Sequence, residues 1–82
     1  MPRKRIQVSE RKLGRERAMG LAWLDDNLIE IDPRYGGREW LYVLLHELLH
    51  HAFPDMPEEE VVRASRLQCD HLWRLNVRRT YA

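Results

Sequence analysis

Two prolines constrain this chain more than any other feature. Pro54 and Pro57 separate two stretches of helical periodicity, leaving only Pro54-Asp55-Met56-Pro57 to connect them. A helix interior does not accommodate proline, and helices joined by so short a loop pack as antiparallel neighbours. The first stretch spans residues 38–53. Glu39 sits in its first turn, where the helix dipole favours an acid, and Leu41, Leu44, Leu45, Leu48, Leu49 and Ala52 cover more than half its circumference. That distribution predicts the buried centre of the fold. The second stretch spans residues 58–76. Val61, Val62, Ser65, Cys69, Leu72, Trp73 and Leu75 share one face, with Glu59, Glu60, Arg63, Arg66, Asp70, His71 and Arg74 opposite.

Upstream, residues 1–17 form a basic lead-in in which Ile6-Gln7-Val8 alternates like a short strand and Gly14 marks a break. Residues 18–32 read as a β-hairpin. Leu21-Ala22-Trp23-Leu24 and Leu28-Ile29-Glu30-Ile31 are strand formers, and Asp25-Asp26-Asn27 supplies the turn. Asp32-Pro33 ends the second strand, and Tyr35-Gly36-Gly37 forms a loop. The expected fold is α+β: one domain over residues 1–82, with a small sheet packed on a central helix and an antiparallel second helix.

A chain of 82 residues is close to the size below which one core supplies only about 3–5 kcal/mol, and many such chains add a disulfide, a metal or a partner. The single cysteine, Cys69, excludes an internal disulfide. A metal, a homodimer or economical packing remains. No apolar run approaches the ~18 residues of a membrane span, and no apolar segment follows the basic start. These features predict a cytoplasmic protein with no membrane partner.

Charge is segregated along the chain. Residues 1–17 carry seven Lys/Arg against Glu10 and Glu16; residues 18–62 carry ten acids against Arg34 and Arg38; residues 63–82 carry five Arg against Asp70. An acidic middle suits a cation, and basic ends suit an anionic partner such as nucleic acid or serve only solubility.

The chemistry concentrates in His46-Glu47-Leu48-Leu49-His50. Histidines at i and i+4 project from one helix face a turn apart, so both imidazoles can bind one metal. Glu47 lies about 100° around the helix from His46, where a carboxylate reaches a metal-bound water. Zn²⁺ lowers the pKa of such a water towards ~7, and the Glu takes its proton as the water attacks a polarised carbonyl. A catalytic zinc needs a third protein ligand. His51, Asp55, Glu58, Glu59, Glu60 and His71 follow the motif. His51 points away from the His46–His50 face, and His71 falls on the polar face of its helix. Asp55 also fits an N-cap, making Asp55-x-x-Glu58 a capping box. Glu58 aligns with Val62, Ser65 and Cys69, and an acid centred on a buried face needs a partner. Glu58 is therefore the first choice for third ligand; Glu59 becomes the choice if the helix starts one residue later.

His46-Glu47-Leu48-Leu49-His50, followed by a helix opening with glutamates, resembles the zincin metallopeptidases. It is most similar to the gluzincins, including minimal "minigluzincin" cores and the small metallopeptidase domains of phage-repressor-cleaving proteins. The resemblance covers residues 21–75. It implies zinc at His46 and His50, a glutamate as third ligand, Glu47 as general base and a peptide or protein substrate. It also implies that Leu28–Ile31 is a sheet edge on which a peptide docks as an added strand. Tyr35, Tyr42 and His71 are the candidates to stabilise an oxyanion. Trp23, Trp40 and Trp73 read as core anchors, Gly36-Gly37 as a helix entrance, and Cys69 as a buried thiol. The competing function is a zinc-stabilised, catalytically inactive binding module that contacts protein or nucleic acid through its basic ends.

Overall fold

The computed structural model describes residues 5–79. The ends of the basic lead-in and of the chain, residues 1–4 and 80–82, lie outside this range. The chain is a small α+β domain in which three short strands and two helices follow in the order β1 (Gln7–Glu10), β2 (Gly20–Trp23), β3 (Leu28–Ile31), α1 (Gly37–Ala52) and α2 (Glu58–Arg74). The central helix α1 packs against β2 and β3 on one side and α2 on the other.

The expected hairpin is present, with one shift. Leu24 leaves the strand and opens a 3-10 turn, Leu24–Asp26. Asn27 closes that turn in the left-handed region (φ 48°), which its short polar side chain tolerates. β2 pairs antiparallel with β3, with Gly20 opposite Ile31 and Trp23 opposite Leu28.

The lead-in contributes a third strand. β1 pairs in parallel with β3, Gln7 beside Leu28 and Glu10 beside Ile31, so the sheet order is β1-β3-β2. This order corrects the expectation that Leu28–Ile31 is a free edge. β3 is the central strand, both of its sides are occupied, and no peptide can add to it. The edge strand beside α1 is β2. Asp32 donates its backbone N–H to Met19 O, so the inward-bonded positions alternate along β2 and the Gly20 and Ala22 backbone groups face outward.

Ile29 and Ile31 point from β3 onto Trp40 and Val43 of α1, and these four residues form the buried cluster. Leu13, from the lead-in, is also fully buried; its N–H donates to the Asp32 carboxylate at 2.9 Å, and Arg34 N–H donates to the other oxygen. These bonds hold the Asp32 pKa below its ordinary value. Asp32 thus fastens the lead-in to the end of the sheet.

Several side-chain positions differ from the sequence reading. Trp23 is not a core anchor: it is 43% exposed and donates its indole N–H to Glu30. Leu75 lies past the end of α2 and is 65% exposed. The reason is a left-handed Asn76 (φ 62°): Val77 N–H returns to Leu72 O and Asn76 N–H to Trp73 O, a Schellman-type stop that ends the helix short of residue 76. In α1 the leucines share the interior with Trp40 and Val43, while Ala52 is exposed. Cys69 is buried as expected.

Candidate metal centre

The site forms where the C-terminal half of α1 meets the first turn of α2. α1 runs on to Ala52, where Phe53 N–H still bonds Leu49 O, and Pro54 stops it. Pro57 then caps α2 through its carbonyl, which accepts from Glu60 and Val61. The Asp55 capping box is absent: Pro57 is the N-cap and no side chain caps the helix. The turn is so tight that the first residue of α2, Glu58, lies over the histidines of α1. Three glutamates, Glu58, Glu59 and Glu60, occupy this first turn, where the helix dipole favours negative charge.

His46 Nε2 lies 2.8 Å from one Glu58 oxygen, His50 Nε2 lies 3.1 Å from the other, and the two ring nitrogens are 3.3 Å apart. These are the three side chains of a group whose ligand atoms could hold one metal ion. Zinc bonds of about 2.0–2.1 Å in a tetrahedral arrangement place neighbouring donors about 3.3–3.4 Å apart. The observed separations need adjust by at most about half an ångström to meet that requirement. Two imidazoles and a carboxylate, with one side open, match the donor set of a catalytic zinc.

The surroundings favour metal-ready ligands. Burial, countered by Glu58, lowers the His46 pKa and so favours the neutral ring that a metal requires. With Nε2 turned to the metal position, the other nitrogen carries the proton and can donate it to the Tyr42 oxygen, 3.4 Å away. His51 is turned away: its Nε2–H donates to Leu28 O at 3.1 Å.

Glu58 departs from one part of its sequence reading. It aligns with the inner face of α2, but its side chain is 64% exposed because the first turn extends past the packed helix interface. The histidines, rather than burial, give it its partners. Glu59 is not in the group, and Asp55 is not either.

Glu47 is not a member of the donor group but lines the same cavity. It is only 7% exposed, and burial together with the nearby Glu58 charge raises its pKa to about 7. The cavity, about 280 Å³, is bounded by Met19, Gly20, Tyr42, Val43, His46, Glu47, Glu58 and Val62. A second opening on the same group is bordered by Gly20, Leu21 and Ala22, so β2 forms one wall. Gly20 makes this wall possible. A Cβ there would stand 2.5 Å from Val43 Cγ1 and 3.3 Å from Glu47 Cγ. Of the three candidates for oxyanion stabilisation, Tyr42 alone lines this cavity; His71 lines a separate groove with Leu45 of α1 and Leu67, Gln68 and Leu72 of α2, and Tyr35 stacks beneath Arg34. Sequence reasoning did not find Gly20 or Met19, because nothing local ties the start of β2 to the motif.

The basic ends are partly tied down. Arg11 pairs with Glu16 and Glu30, and Arg79 pairs with Glu10 while its guanidinium lies over Trp40. Among the described residues, no helix is long and apolar enough to cross a membrane. Comparison with protein-family models, curated proteins and solved structures gave no match for this chain.

Proposed function

We propose that the protein is a zinc-dependent peptidase. The observation that carries this reading is the convergence of His46, His50 and Glu58 beside a buried acid, Glu47, that is not itself in the donor group. The residues suit zinc by number, type and spacing. Zinc there would supply a Lewis acid that polarises a carbonyl and acidifies water. Glu47 would take a proton from the attacking water and deliver it to the leaving amine. Burial supports that role by raising its proton affinity towards neutrality, where an acid–base group works in both directions. Tyr42, on the same cavity, is the hydroxyl placed to donate to a developing oxyanion.

The substrate would be an extended peptide. β2 borders the site and turns the backbone groups of Gly20 and Ala22 outward, so a peptide strand can pair with it and carry its carbonyl past His46 and Glu47.

The test is cleavage of a broad peptide library by zinc-loaded protein, read by mass spectrometry, beside Glu47→Gln. The proposal expects cleavage by the wild type, and a variant that keeps zinc and loses cleavage. A zinc-loaded wild type that cleaves nothing would leave the metal a structural role in a binding module.

A further inference from the structure

α2 carries a second surface, on the side away from the metal group. Leu67 is 70% exposed there, and beside it Leu45, Leu67, Gln68, His71 and Leu72 line an apolar groove of about 420 Å³. At 100° and 1.5 Å per residue Glu58 lies 180° around the helix and about 13.5 Å along it from Leu67, so a partner centred on Leu67 leaves the site of the proposed function open.

The charges flanking Leu67 identify what fits. Glu60 stands seven residues before it and Arg74 seven after, each within 20° of the same line and about 10.5 Å away along the axis. Neither makes an ion pair among the described residues, nor do Glu59, Arg63 or Arg66. An acid and a base placed symmetrically about an exposed leucine are complementary to the same helix running the other way. A two-fold axis at Leu67 sets leucine against leucine, Glu60 against Arg74 of the second copy, and Arg74 against its Glu60, as an isologous interface requires.

We infer that the protein forms an antiparallel homodimer through α2, centred on Leu67 and fixed in register by the two symmetry-related Glu60–Arg74 pairs. The interface buries Leu67 and the edge of the apolar groove beside it, and its charges determine orientation. It offers a small domain additional buried area that its own core lacks.

Sedimentation equilibrium across micromolar to millimolar protein, with and without chelator, tests this inference independently of any peptidase activity. The expected result is a monomer–dimer equilibrium in both conditions. Leu67→Glu should raise the dimer Kd at least about tenfold, by placing like charges face to face at the axis. Glu60→Arg and Arg74→Glu should each weaken the dimer about tenfold, and the double variant should restore it, because exchanging the two charges preserves every pair. These side chains are exposed, and circular dichroism checks that each variant is folded. A 9.9 kDa monomer at every concentration, an unchanged Kd for Leu67→Glu, or a double variant no better than the single ones would overturn the inference.

Discussion

Replacing Glu47 by glutamine should stabilise the metal-free protein at neutral pH, although it removes the group assigned to chemistry. The side chain is 7% exposed, and burial followed by the Glu58 charge raises its pKa from 4.5 to about 7. In the unfolded chain the carboxyl ionises near 4.5; in the folded chain it holds its proton until about 7. Between these values the folded state binds more protons, so stability falls as pH rises. The full span corresponds to about 3 kcal/mol, and solvent screening at the open cavity reduces this to about 2 kcal/mol. Glutamine has the same shape and no charge to bury. Urea denaturation of wild type and Glu47→Gln in chelator, from pH 4 to pH 8, measures the difference. The two curves should coincide below about pH 4.5, diverge up to about pH 7 and run parallel above it. A constant offset across the whole range would refute the argument that Glu47 is buried against its charge.

Other consequences follow from particular contacts. Glu58→Gln should weaken zinc binding strongly while Glu59→Gln leaves it nearly unchanged, as read by competition with a chromophoric chelator; weakening by Glu59→Gln alone would move the third ligand. Zinc at a hundred times its Kd should stabilise the fold by about 2.7 kcal/mol, a rise of roughly 10–20 °C in Tm, and the rise should vanish in His46→Ala. Gly20→Ala should cost about 1–3 kcal/mol in thermal or chemical denaturation, because its Cβ meets Val43 and Glu47 at the wall of the site. Asp32 has a lowered pKa, so its contribution is complete above its unfolded value of 3.8 and is lost as pH falls through the folded one. Asp32→Asn should therefore flatten the acid limb of the stability curve.

The helical half of this chain was legible because its signals are local. The prolines fix the two helix ends, i and i+4 spacing puts His46 and His50 on one face, and the helical wheel selects Glu58 over Glu59. The site then assembles from two segments that a four-residue loop brings together. The sheet was less legible because its pairing is not local. The Ile6-Gln7-Val8 alternation announces β1, but its four residues are exposed and carry no sign of a partner, and only the pairing with Leu28–Ile31 shows that β3 is central. The burial of Leu13 likewise depends on Asp32, nineteen residues away. Trp23 shows a different limit. Strand alternation predicts that Ala22 and Trp23 face opposite ways, but not which of them faces the core; α1 covers the Ala22 side, and Trp23 finds Glu30 on the other.

X-ray absorption at the zinc edge of zinc-loaded protein tests the central claim most directly, because it reads the donor atoms themselves. The account predicts one zinc per chain, with two imidazole nitrogens and carboxylate or water oxygens at about 2.0–2.2 Å, and loss of one imidazole signal in His50→Ala. Failure to bind zinc stoichiometrically would contradict it. So would a sulfur shell at about 2.3 Å, which would place Cys69 in the coordination sphere and require a different arrangement of the helices.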